Sequence, residues 1–516
     1  MINMLQDLVQ ELHQPSVVFG LVCGLLYILS VCKDRPQFQK VISTSRIWTT
    51  VLNKYLAYKY LLNGASMIEE QYAQSNGQPF VIRTPEKMNI MVTSSAHIQE
   101  IDKAPRHQLS LHAVAKEFLQ PKNTMNGFEW KDQRGIEGTG FVRAIRNLLT
   151  ARLPELIPRL STVIEDQIQA EVTQAKQTKD GWGRIPLFAA AKHIVTRTNC
   201  AVFFPAELSS NPEFVQAALE FPEDVFFAAE IIRILPRGIA PFLAKLATKN
   251  HKSTTVMYNF LYPVVQKRME LSCLAPELRG EEEPNDGVQW LINTTPKRES
   301  WSTSRLVGEI MAVWYGSLHT LAIATTYALV DLYSRPEYIK SLRAELSSSM
   351  FFQFQSTSEG LPEMDSFLKE SARLSAFEST GVRRQALEDF RFSDGLLVPK
   401  GSWVCVPHRA MMRDDRHFPE ADRFDGRRFL PRLPTPEALE ASRLSQRSNE
   451  WLVWGAGRIT CPGRFYAVVV LKLVLANMLQ NYDAELEPIK GSRSAQWRTA
   501  LIPRAGITLK VKPRQI

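Results

Sequence analysis

Hydrophobic and polar positions divide the chain into an apolar start and a long body in which helical periodicity dominates. Between Pro15 and Cys32 no charged residue occurs. As a helix this run spans roughly 27 Å, close to the hydrocarbon thickness of a bilayer. The leading segment carries Asp7 and Glu11 instead of a basic stretch, which favours an uncleaved anchor over a signal peptide. Leu29-Ser30-Val31-Cys32 is only faintly like a lipoprotein cleavage site, because Val31 is larger than such a site takes. Lys33, Arg35 and Lys40 follow the run and place the body in the cytosol. The expected organisation is a lumenal N-terminus at 1–14, one transmembrane helix at 15–32, a linker at 33–60 and one catalytic domain at 61–516.

Within the body, Phe80–Arg83 and Met88–Val92 alternate as short strands on either side of Pro85. From about residue 135 the pattern is mainly helical. Asn199 to Arg268 is rich in Phe, Ala, Ile and Leu, with breaks expected at Pro212, Pro222, Pro236 and Pro241. Ile231 to Pro236 is unusually apolar for a connector and reads equally as a buried helix end or as a membrane-dipping substrate entrance. Glu281 to Asp286 is a solvated turn. A long helix is predicted from Thr303 to Tyr333, followed by a capping box, Ser334 with Glu337, that opens the next helix. Strands with a Ser393-Asp394-Gly395 turn follow between Val382 and Cys405. A helix from Pro462 to Gln480 and a strand from Ile507 to Val511 end the chain. The fold class is mainly α with a minor β part.

Composition narrows the function. Hydrophobic residues make up 45% and charged residues 22%, which excludes wholesale disorder. The formal charge of +9 is spread along the chain and forms no basic cluster, so no nucleic-acid partner is expected. An anionic membrane surface or an acidic protein partner fits it better. Cys23, Cys32, Cys200, Cys273, Cys405 and Cys461 form no Cys-x-x-Cys pair, so neither zinc nor a disulfide framework is indicated.

The strongest chemical signal is Trp454-Gly455-Ala456-Gly457-Arg458-Ile459-Thr460-Cys461-Pro462-Gly463-Arg464. Glycines let the backbone bend tightly and approach a flat cofactor. Cys461 is expected to open a helix, whose N–H groups favour a thiolate. This stretch resembles the haem-binding loop of the cytochrome P450 family, aromatic-Gly-x-Gly-x-x-x-Cys-x-Gly. Pro462 to Ala467 looks like the filamentous-fungal branch of that family.

The resemblance implies a cytochrome P450 fold preceded by one membrane helix, with haem b and Cys461 as the axial iron ligand. Trp454, Gly455, Gly457, Arg458 and Gly463 would cradle the cofactor. Trp454 stands where the family usually has Phe. Ile459 stands where the family usually has Arg or His against a propionate, which makes Arg458 a possible substitute. Arg383 with Arg384, and Arg146 with Arg143, are further propionate candidates. Glu370 and Arg373, i and i+3 on one helix face, match the family's Glu-x-x-Arg motif, with Arg428 as its third member. Gly426 and Arg427 replace the Pro and Glu usual before that arginine. In Gly316-Ser317-Leu318-His319-Thr320, Thr320 aligns with the threonine that aids proton delivery to bound oxygen, and His319 replaces the usual acid.

Dioxygen and NADPH-derived electrons through a membrane-bound NADPH-cytochrome P450 reductase are implied, because no flavin or dinucleotide motif is visible here. The expected activity is monooxygenation of a lipophilic substrate (a terpenoid, meroterpenoid or indole diterpene) at the endoplasmic reticulum membrane. The alternatives are multi-step oxidation or rearrangement, a non-catalytic haem protein, and a hydrolase with Cys461 as nucleophile.

Overall fold

The computed structural model describes residues 44–128, 140–178, 180–234, 237–273, 283–295, 301–448 and 450–515. The anchor at 15–32, the lumenal segment, Leu235-Pro236 and Glu281-Glu282 lie outside the described residues. The helices used below are α1 (Thr44–Ser75), α2 (Ser95–Lys103), α3 (Leu111–Leu119), α4 (Leu153–Gln174), α5 (Leu187–Phe203), α6 (Pro212–Ile234), α7 (Ala240–Ala247), α8 (Lys252–Ser272), α9 (Thr303–Tyr333), α10 (Pro362–Leu374) and α11 (Arg464–Asn481).

α9 occupies the span predicted for it. Ser302 caps it by accepting from the Arg305 N–H, and its middle is buried against α5, α6, α8 and α11. Residues 310–330 carry no Asp, Glu, Lys or Arg. This second charge-free run matches a membrane span in length and composition, so the run at 15–32 is not unique by that criterion. Burial of the second run inside the body makes it the central core helix.

Three expectations fail locally. α6 runs straight through Pro222, and α8 and α4 likewise contain Pro263 and Pro158. An interior proline costs about 3 kcal/mol, and burial of Pro222 among α6 core residues offsets that cost here. The capping box does not form. Ser334 ends α9 in helical conformation, and the short turn Pro336–Tyr338 starts without a side-chain cap. The expected linker is helical from Thr44, and Ala57, Tyr60 and Leu61 are already buried in the body.

The strands are β1 (Phe80–Arg83), β2 (Met88–Met91), β3 (Leu109–Ser110), β4 (Lys176–Gln177), β5 (Gly183–Pro186), β6 (Gly381–Ala386), β7 (Phe390–Arg391), β8 (Leu397–Val398), β9 (Trp403–Val406), β10 (Tyr482–Leu486), β11 (Ser494–Trp497), β12 (Ala500–Pro503) and β13 (Thr508–Pro513). The main sheet has the order β1-β2-β9-β6-β3, with β2 and β9 parallel and the other pairs antiparallel. A second sheet orders β10-β13-β5-β4, and β7–β8 and β11–β12 are separate hairpins. Gly395, at φ +92°, closes the predicted turn between β7 and β8 with an N–H to the Phe392 carbonyl. A register shift in β6 between Gly381 and Arg384 re-aims this strand beside the interior cavity.

Candidate active site

An interior cavity of about 800 Å³ lies between α9 and the Cys461 loop. Its wall is mostly apolar and aromatic, with Phe118, Phe188, Phe226, Phe227 and Trp497 among its residues. Cys461, Pro462 and Gly463 form one side of it. Gly316, Ser317, His319 and Thr320 of α9 also line it.

Cys461 is held by its own loop. Its N–H donates to the Trp454 carbonyl at 2.8 Å, and Gly455 turns the chain at φ +78°. The helix itself begins at Arg464 with Gly463 at its N-cap, so Cys461 precedes the helix and does not open it. Burial pushes the Cys461 thiol up, while the Gly463 N–H and the Arg464 charge oppose that shift. A coordinated cation deprotonates such a thiol outright. The Trp454 indole donates to the Leu444 carbonyl at 2.7 Å, which accounts for the donor that phenylalanine lacks and fixes the ring. Gly457, at φ +59°, lies hard against the Asp102 carboxylate, and any side chain there would collide with it.

The space beside the thiol suits a flat macrocycle. A Cβ on Gly316 would meet no atom within 4 Å, and one on Gly463 would first meet Ile145 Cγ2 at 3.7 Å. Bare backbone therefore borders open volume both on α9 and on the loop. The donor set, the cavity-lining thiol of the partly buried Cys461 with no cluster of three or more metal-binding side chains among the described residues, would fit an iron whose other ligands come from a cofactor.

The structure separates the propionate candidates. Arg383 lines the cavity but is tied to Glu378, Thr380 and Thr499. Arg384 is buried behind it, has no ion pair within 4 Å among the described residues, and is pushed down to about 10 by desolvation. Arg458 turns away from the cavity to the carbonyls of Asp102 and Ala104 at the end of α2. In this arrangement its side chain is engaged at the end of α2. Arg146 lies on a π-helical turn, Ala144–Leu149, and is exposed, donating to the Arg458 carbonyl at 3.3 Å. Arg143 reaches the Thr294 carbonyl.

Glu370, Arg373 and Arg428 do come together. Arg373 clasps both Glu370 oxygens at 2.7 and 2.8 Å, and Arg428 Nε lies 3.2 Å from each. Glu370 and Arg373 are fully buried. The two departures before Arg428 have local reasons. A Cβ on Gly426 would come within 2.7 Å of the Tyr338 ring, and Arg427 pairs with Glu363 at 2.9 Å.

On α9, Thr320 faces the cavity and its hydroxyl has no hydrogen-bond partner among the described residues. Thr325 and Thr326, a turn further on, instead bond back to Leu321 and Ala322. His319 is held neutral, pushed down to about 4 mainly by burial, with Glu223 opposing and Lys192 adding to the shift. Glu223 is itself in the cavity wall and pairs with Lys192 at 2.5 Å. Sequence patterns offered no signal for this pair, for His408 or for Trp497, because each reaches the wall only through tertiary packing.

A mainly helical body with a minor sheet, a glycine-bordered thiol and a large, mostly apolar chamber beside it fit a haem-thiolate enzyme. The cytochrome P450 family model matches residues 66–511, and the chain belongs to that family. It is 28% identical to cytochrome P450 monooxygenase 151 of Postia placenta, over 96% of this chain and 97% of that protein. It is 24% identical to cytochrome P450 monooxygenase ptmQ of Penicillium ochrochloron, over 87% of each chain. Among solved structures, a retinoic acid-bound cyanobacterial CYP120A1 aligns with a TM-score of 0.65 and 15% identity, covering 88% of this chain and 97% of that one, and so shares the fold. The protein is a monooxygenase of the oxidoreductase class, and its family carries haem-thiolate iron and uses dioxygen with NADPH-derived electrons. When bound, that group supplies the oxidising power to insert one oxygen atom into a substrate.

Proposed function

We propose that this enzyme oxygenates a lipophilic polycyclic substrate, a terpenoid, meroterpenoid or indole diterpene, at the endoplasmic reticulum membrane. Cys461 holds the iron, Gly455, Gly457 and Gly463 shape its loop, and an NADPH-cytochrome P450 reductase supplies electrons. The observation that carries the reading is the cavity: a large, mostly apolar chamber whose few charged or titratable groups include His319 and Glu223 on one part of the wall and Glu378, Arg383 and His408 on another. Apolar walls exclude water and hold an apolar skeleton, leaving orientation to those few groups. Thr320 offers a free hydroxyl on the cavity face. His319, neutral at physiological pH, can accept a proton on one ring nitrogen while releasing one from the other.

The membrane reading gains support from a surface that the sequence pattern did not single out. Ile239, Phe242 and Leu246 are 47%, 70% and 69% exposed on and beside α7, with Lys245 among them. Ile232, in the stretch that reads equally as a buried helix end or a membrane-dipping entrance, is buried near the end of α6, as the first of those readings expects. Four exposed or basic side chains on one short segment suit an interface where apolar groups enter lipid and lysine reaches the headgroups.

The test is incubation of membranes carrying the chain and a reductase with a panel of such compounds under ¹⁸O₂. One labelled oxygen per product is expected, and products without label would overturn the reading. His319 in place of an acid favours one second reading, repeated oxidation, which NADPH consumed per product would reveal.

A further inference from the structure

We propose that Glu230 is a positioning residue that sets the substrate size limit, acting as the hub of a buried four-charge latch that pins Trp497 into the cavity wall. This rests on the reading of the cavity as the substrate chamber. Glu230, on α6, is 3% exposed. One of its oxygens accepts from the Trp497 indole N–H at 2.7 Å and from Arg498 Nε at 2.6 Å, and the other accepts from Arg233 at 2.6 Å. Arg498 also grips both oxygens of Glu86 at 3.0 and 2.7 Å. Two acids and two bases thus close a neutral network that joins α6, the loop between β1 and β2, and the tip of the β11–β12 hairpin.

The hairpin tip is made for this contact. Arg498 sits at φ +54°, a region that favours glycine, and its N–H donates to the Leu61 carbonyl. Glycine would relieve the backbone but would abolish the charged clasp, so an arginine held there points to a role for its side chain. Two cavity-wall aromatics depend on the latch. Trp497 is fixed by its indole hydrogen bond, and Phe118 lies under the Arg233 guanidinium at 4.7 Å. Buried ion pairs contribute little net stability against an apolar substitute, but each has one low-energy geometry, so a network of them defines position. The apolar side chains around it would otherwise be free to repack around larger ligands.

The test compares azole ligands of increasing bulk on the haem-loaded enzyme, read as the spectral shift when a nitrogen binds iron. For Glu230→Ala, imidazole affinity should stay within about twofold of wild type, while a multi-ring azole should bind at least tenfold more tightly. Trp497→Leu should move the same ratio the same way, and it answers the question if Glu230→Ala fails to load haem. A bulky-to-small ratio unchanged in whichever variant loads haem would overturn the proposal, as would equal loss for all azoles, which is what a merely structural role produces. Failure of wild type to bind imidazole at all would instead refute the haem-site reading beneath it.

Discussion

At the residue scale, His319 carries the clearest dependence on pH. Its folded value is depressed from 6.5 to about 4, so the fold favours the neutral ring. The unfolded chain then binds a proton that the folded chain refuses between those values. Stability is therefore full above about pH 6.5 and falls as pH drops toward 4, by up to about 1.4 kcal/mol per unit. Chemical denaturation at pH 7 and pH 5 should show wild type losing on the order of 1–2 kcal/mol more than His319→Gln; equal losses would contradict the assigned environment. Cys461, Thr320, Gly455 and Gly463 were reached through the family pattern they resemble, and the structure brings all four to one cavity wall. The placement of the Arg458 side chain was not, since its distance from the cysteine says nothing about the Asp102 and Ala104 carbonyls that it meets.

At the element scale, α10 is locked to the loop carrying Arg428 through Glu370. Removing Glu370 strands two arginines in the interior, a cost of about 3–5 kcal/mol. Glu370→Ala should accumulate as poorly folded protein with little bound haem, measured as haem per polypeptide. Normal loading would show the lock to be dispensable. Gly426→Pro, which restores the usual family residue, should also destabilise, because the Tyr338 ring fills the space a side chain needs. Helix α9 was readable to its ends from its apolar run, whereas its Ser302 cap came only with the structure. The persistence of α6 through Pro222 was not, because burial of that proline belongs to the packed core and leaves no mark on local pattern. The failed capping box at Ser334 has a similar cause: the residue was already used to finish the preceding helix.

At the scale of the whole molecule, the proposed membrane attachment uses residues 15–32 and the exposed Ile239, Phe242 and Leu246. Deleting residues 1–32 should leave partial membrane retention, and adding Phe242→Ser and Leu246→Ser should release the body, as followed by membrane flotation. Complete release by the deletion alone would remove the α7 surface from the account. The helical class and small sheet were evident from periodicity, whereas the interior cavity was not, because its walls draw on segments from Leu111 to Ile502 that only the fold brings together.

The most direct test of the central claim is the absorption spectrum of the reduced, carbon monoxide-bound enzyme beside Cys461→Ala. The account predicts a thiolate-type Soret band in the wild type that is lost in the variant. An imidazole-type band in the wild type, no haem at all, or a thiolate band that survives the substitution would contradict it.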